Sequence, residues 1–138
     1  MALQYSVGYR NTVMTAIATA VSTSGRMVLY GGSKPTDCAT ATTGQPVLAN
    51  WTANSTQFGT VSGGVLTVSP PLVNPVVGAA GTAAWFRIYP SSTITSTDAI
   101  IQGDVAASGS DWNITNTVIA ASQNVTFTSM TITASGTP

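Results

Sequence analysis

The chain opens on a helical pattern of apolar positions and then changes period. Val13, Ile17, Ala20 and Val21, with Tyr9 one turn earlier and Ala16 beside them, recur on one helix face, while Thr12, Thr15 and Thr19 fall on others. This spacing predicts one helix over about 10–23, lying across the edge or open end of a sheet, with Gly25 as a left-handed C-cap. From Arg26 onward the apolar residues come in short runs: RMVLYGG, PVLANWTA, GVLTVSP, TAAWFRIYP, DAIIQGDVAA, WNITNTVI and NVTFTSMTITA. Gly, Pro, Asn and Ser clusters separate them, as turns separate strands. No second helical pattern is present to cross over a parallel sheet. The expected fold is therefore all-β, an antiparallel β-sandwich of jelly-roll type with one N-terminal α-helix. It forms a single domain over 1–138, with strands from about 26 to 134.

Within this frame four stretches stand out. In GTAAWFRIYP (81–90) alternation sets Ala84, Phe86 and Ile88 on one face and Trp85, Arg87 and Tyr89 on the other. The second face predicts contact with a partner or a neighbouring sheet, with Arg87 hydrogen-bonded to a carboxylate or to backbone carbonyls. A buried arginine paired within its own chain fits the same pattern. Two segments, 31–46 and 69–81, read as long loops. The second holds Pro70, Pro71 and Pro75 together with Leu72, Val73, Val76 and Val77, too apolar for a solvated linker. It reads either as a loop folded back over the core or as an extended arm that docks on a neighbour. In the last run Val125 and Phe127 differ in parity from Met130 and Ile132, which predicts a β-bulge between Thr128 and Met130.

Composition narrows the function classes. Charged residues are only 6% of the chain, against about a quarter in ordinary domains, so Ser, Thr, Asn and Gln must carry the solvated surface. With 4 basic and 4 acidic residues the formal net charge is zero, and no basic stripe exists to neutralise phosphates, so direct nucleic-acid binding is not expected. A neutral, Thr-rich surface suits a protein that lives packed in an assembly. The run NTVMTAIATAVSTSG resembles a signal-peptide core, but threonines interrupt it and no compact basic leader precedes it. No stretch reaches the roughly 18–20 apolar residues of a membrane span. The expected product is soluble, non-secreted and without membrane contact.

Candidate chemistry is sparse. The chain has no His and no Glu, two of the first choices for proton transfer. Asp98 and Asp104 flank a strand and lie roughly 20 Å apart at about 3.3 Å per residue, too far to act as a glycosidase pair. Asp104 and Asp111 can meet across a hairpin, where turn-forming roles suffice. Cys38, the sole cysteine, has no histidine to activate it and reads as a small buried or half-buried residue. No metal-ligand spacing, phosphate loop or cofactor motif appears. Sequons at Asn50, Asn54, Asn113 and Asn124 are what so many Ser and Thr residues produce by chance. The expectation is a non-enzymatic protein without a cofactor.

Three tryptophans remain, Trp51, Trp85 and Trp112. Each can pack in the core, serve as a sugar platform or anchor a protein interface. Trp112, after Gly-Ser-Asp, reads as the one nearest a loop tip. The candidate interface set is Trp85, Arg87, Tyr89 and Trp112, with Leu72 and Val73 of the 69–81 segment.

The order GTAAWFRIY, a strand ending IIQGDV, then SGSDWNITNTVIAASQNVTFTSMTIT resembles a group of small phage structural proteins. The helix leading into MVLYGGSKP is similar to theirs as well. The group comprises capsid cement, or decoration, proteins of jelly-roll type, of the kind carried by a Bordetella podophage. The resemblance implies a virion protein on the exterior of an icosahedral head, with the major capsid protein as partner and a homodimer at two-fold positions. This chain departs from the commoner pattern at PSSTITSTDA, a longer loop after the Arg87 strand. Two other roles fit the residues: a head–tail connector or tail component, and a carbohydrate-binding adhesin-like module.

Overall fold

The computed structural model describes residues 4–21, 24–53, 57–69, 73–92, 94, 97–125 and 129–134. Among these residues one helix is followed by ten strands: α1 (Val7–Val21), β1 (Gly25–Gly31), β2 (Val47–Ala53), β3 (Thr60–Ser62), β4 (Val65–Val68), β5 (Val73–Val77), β6 (Gly81–Tyr89), β7 (Ile101–Ala106), β8 (Trp112–Asn113), β9 (Val118–Ile119) and β10 (Met130–Thr133). The larger sheet runs β5-β2-β1-β6-β7-β8, with β9 paired to β6, and the smaller runs β10-β4-β3. All pairings are antiparallel except β7 with β8, which is parallel. The fold is thus all-β with one N-terminal helix, in two sheets that share a core.

That core draws on both sheets and on the helix. Leu29, Leu48, Trp51, Phe86 and Ile88 of the larger sheet meet Leu66, Val68 and Met130 of the smaller one, and Met14, Ala18 and Val21 of α1 close the cluster. Leu66, Phe58 and Leu48 are fully buried, each worth about 1.5–3 kcal/mol of transfer free energy.

The helix begins a turn earlier than its apolar spacing suggests, and it is rotated. Its buried residues are Arg10, Met14, Ala18 and Val21, whereas Tyr9 and Val13, expected inward, are 55% and 38% exposed. Arg10 explains the rotation. Its aliphatic stem lies against Gly64, where an added Cβ would sit 3.0 Å from the Arg10 Cβ. Beside it the Asn11 side-chain carbonyl accepts the Gly64 N–H at 2.7 Å. Gly63 and Gly64, with φ of 62° and 80°, form the two-residue turn of the β3–β4 hairpin, as a tight hairpin turn of this twist requires.

Gly25 is not a left-handed cap. It is the first residue of β1, paired with Ala53, and a Cβ there would lie 2.5 Å from the Val21 carbonyl oxygen. The helix and β1 approach so closely that only a residue without a side chain fits. The 69–81 segment is likewise not simply a loop: β5 pairs with β2 at the sheet edge, a place where Pro75 removes no ladder bond that an inner strand would need. Thr128, and with it the predicted 128–130 bulge, lies outside the described residues, as does Phe127.

Candidate functional site

β6 lies between β1 and β7 in the larger sheet, so both its edges are hydrogen-bonded. Phe86 and Ile88 enter the main core, while Trp85 and Tyr89 join Val28 and Tyr30 in a second buried cluster on the opposite face. Ala83 sides with Phe86, and Ala84 with Trp85, not with Phe86 as strict alternation predicts. The β1–β6 register shifts between Tyr30 and Gly31, and a bulge of this kind exchanges the faces beyond it.

The second face is an aromatic stack closed over by the chain itself. Tyr30, directly opposite Trp85, stacks on it with ring centroids 4.2 Å apart and planes 8° from parallel. The Trp85 indole N–H donates to the Gly31 carbonyl at 3.2 Å. The Tyr30 and Tyr89 hydroxyls share a hydrogen bond of 2.9 Å. The Arg87 guanidinium carbon lies 5.5 Å from the Trp85 ring centroid, within cation–π range.

Arg87 is the fastening of this face. Its Nη2 donates to the Asp37 carbonyl at 2.8 Å and to the Thr40 carbonyl at 2.9 Å. Nε and Nη2 both donate to Gln102 Oε1, at 3.2 and 3.1 Å. The Gln102 amide then donates from Nε2 to the Pro35 carbonyl at 2.9 Å. Arg87 and Gln102 together pin residues 35–40 across the stack.

The pinned segment is shaped from within by Asp37. Its Oδ1 accepts the Ala39 and Thr40 backbone N–H groups at 2.9 and 2.8 Å and the Thr40 hydroxyl at 2.8 Å. The Thr40 hydroxyl bond, the two backbone donors and the Arg87 charge hold the Asp37 carboxyl below the usual carboxylate range, against a smaller opposing effect of burial. Burial, then the Tyr89 hydroxyl, pushes Tyr30 ionisation far above its ordinary range.

The predicted interface residues therefore have other placements. Trp85, Arg87 and Tyr89 are 0% exposed, so the expected open face is covered by the chain's own 31–46 segment, and Arg87 binds backbone carbonyls within the molecule. Trp112, expected near a loop tip, is 1% exposed and meets Trp51 and Phe86 edge-to-face, with centroids 5.5 and 5.7 Å apart. With Trp51 also at 1%, the sugar-platform idea loses the exposed tryptophans on which it stood. Leu72 lies outside the described residues. Val73 opens β5 opposite Thr52, and its side chain lies outside what is described.

Lys34, Asp104 and Asp111 have local structural roles. Lys34 pairs with Asp104 at 2.8 Å on the surface, and Asp111 Oδ2 accepts the Asp104 backbone N–H at 2.8 Å. Asp104 and Asp111 do meet, through backbone and not as paired carboxyls. Cys38 is a half-buried free thiol within the pinned segment. Among the described residues no group of three or more His, Cys, Asp or Glu side chains is placed to hold a metal ion. No helix of the described residues is long and apolar enough to cross a membrane.

What the apolar spacing did not reveal is the outward side of α1. Val7, Tyr9, Thr12, Val13, Thr15, Ala16, Thr19 and Ala20 are exposed, and none is charged. Tyr9 stacks on the exposed Tyr5 with centroids 5.2 Å apart, and these two rings border a recess of about 400 Å³ beside Thr133 and Ala134. The rotation imposed by Arg10 is what turns Tyr9 and Val13 outward. Comparisons of the chain with protein-family models, with curated proteins and with solved structures gave no match.

Proposed function

We propose that the protein is a structural component of a phage virion. It acts as a cement, or decoration, protein that binds the outside of an icosahedral head and stabilises contacts between capsomers of a separate major capsid protein. The observation that carries this reading is the outward side of α1. A 15-residue helix, about 22 Å long, presents Tyr, Val, Ala and Thr to the exterior without one charge. An ordinary solvent-facing helix side is rich in charged residues. A neutral, aromatic-containing side is what the centre of a protein interface uses, where charges are depleted and tyrosine enriched.

The interior supports the same reading. Aromatic and arginine side chains that would suit a ligand site are committed to pinning the 35–40 segment, which stiffens the domain. A rigid body is useful to a clamp, because little ordering entropy opposes binding. In this reading the two sheets are those of a jelly roll, and the resemblance of the 81–133 stretch supports a homodimer at two-fold positions. A shell repeats each contact many times, so about 800 Å² per partner and micromolar affinity suffice for a large total effect. No nucleic-acid contact, membrane contact or catalytic step enters this role.

The test is quantitative mass spectrometry of purified particles, with burst stability of heads made without the protein. Copies on the order of hundreds per head, with weaker heads in their absence, are expected from a closed symmetric shell. About a dozen copies would indicate a ring-shaped collar or tail component instead.

A further inference from the structure

We infer that the gap between the edges of β7 and β10 that no described strand pairs is a strand-docking groove, which takes an extended, uncharged polypeptide segment of a shell subunit. The inference deepens the assembly role proposed above and rests on it. Its basis is the direction of backbone groups along two strands.

In β10 the Ala134 N–H donates to the Gly64 carbonyl at 2.9 Å, in line with the Met130↔Val68 to Thr133↔Val65 register. Even-numbered residues of this strand therefore turn their backbone groups toward β4. Thr131 and Thr133 turn theirs away, and β10 is the end strand of its sheet. In β7 the Ala106 carbonyl accepts from Ile114 and the Asp104 N–H donates to Asp111, so even-numbered residues face away from β6. β8 covers that side only at Val105 and Ala106. Among the described residues no strand pairs there with Ile101–Asp104, which leaves the Gln102 backbone facing outward.

These two edges border one recess. Gln102 and Gly103 of β7 and Met130–Thr133 of β10 line a cavity of about 220 Å³ with Phe86 among its walls. An adjoining cavity of about 300 Å³ shares Asp111, Met130 and Thr131 with it. Thr131 and Thr133 are exposed. Unpaired N–H and C=O groups on a strand edge are a template for another strand, and main-chain pairing supplies the affinity. β10 carries neither lysine nor proline, two of the residues that natural sheets use to blunt an edge. The occupant is a chain in extended form, because only an extended backbone presents donors and acceptors at the spacing of the Thr131 and Thr133 edge. It is uncharged, because the walls offer threonine hydroxyls and apolar carbon with Asp111 as the one carboxylate.

The experiment is amide hydrogen exchange on the wild-type protein, free and bound to purified heads, with copy number measured on the same heads. Exchange at Gln102, Thr131 and Thr133 is expected to slow by about tenfold or more on binding, as for amides newly paired in a sheet. A Thr133→Pro variant, checked for folding by thermal melting, removes an outward donor that pairs with none of the described residues. It is expected to bind heads about tenfold more weakly, the size of one lost backbone bond. Heads that carry the protein while these amides exchange as in the free chain would overturn the groove and leave the cement role standing. A folded Thr133→Pro variant that binds undiminished would do the same. Heads that carry no copies would remove the assembly role and the groove together.

Discussion

A single nitrogen of Arg87 holds both ends of the turn that Asp37 builds, donating to the carbonyls of Asp37 and Thr40 at 2.8 and 2.9 Å. Replacement by alanine leaves these carbonyls and the Gln102 amide without their donor and opens a hole beside Trp85. Arg87→Ala is expected to destabilise the fold by about 3 kcal/mol, read as a shift in urea midpoint. Arg87→Lys should rescue little, since one ammonium cannot serve Gln102 and the two carbonyls in the planar geometry used here. A wild-type midpoint for the alanine variant would show that the clamp contributes nothing.

Alkaline pH probes the Tyr30–Tyr89 pair. Burial disfavours the Tyr30 phenolate, so its folded-state ionisation is raised above the ordinary value of about 10. A group of this kind contributes stability that is fully present below pH of about 10 and is lost as pH rises beyond it, because only the unfolded chain then ionises readily. Urea titrations between neutral and strongly alkaline pH should show this decline, and Tyr30→Phe should flatten it. An equally steep decline in the variant would place the sensitive group elsewhere.

Acid acts through Asp37 in the opposite sense. Its folded-state ionisation is lowered, so its contribution is present above the usual carboxylate range and fades as pH falls through and below it. Asp37→Asn keeps a side-chain carbonyl to accept the Ala39 and Thr40 N–H groups, yet cannot titrate. Melting temperatures of the variant should depend less on pH in the acid range than those of the wild type. Parallel curves for the two proteins would contradict the assignment.

Gly25 separates two explanations of one residue. A left-handed cap tolerates asparagine, whereas a close approach to Val21 tolerates no side chain. Both Gly25→Ala and Gly25→Asn are expected to cost about 1–3 kcal/mol, as overpacked sites do. A near-neutral Gly25→Asn in chemical denaturation would restore the cap.

Much of this architecture was legible in the chain, and the exceptions have physical causes. Strand alternation placed Phe86 and Ile88 opposite Trp85, Arg87 and Tyr89, as observed, but alternation says nothing about what covers a face. The cover is the 31–46 loop, whose Asp37 turn looks like any polar turn until Arg87 is seen beneath it. On the helix, hydropathy put Tyr9 and Val13 inward, whereas Arg10 is the residue buried there. The glycine turn at 63–64 offers a seat for an arginine stem, and packing against it outweighed the valine. Pro75 made β5 read as a loop because proline is excluded from inner strands, and only the sheet order shows that this strand is at an edge. The uncharged outer side of α1 was hidden by the same one-residue rotation.

β4 is touched by elements far apart in sequence: α1 packs on it and β10 pairs along it. During synthesis the helix and the β3–β4 hairpin can meet before β10 is made, once β1 and β2 between them have been laid down. The strand that completes their sheet, β10, follows only after 61 residues have been laid down between Val68 and Met130. Closing so long a loop makes this pairing a late and slow event. Until it happens β4 has an open side of its own, so a chain stalled or clipped before residue 130 would expose the strand edge that β10 otherwise occupies.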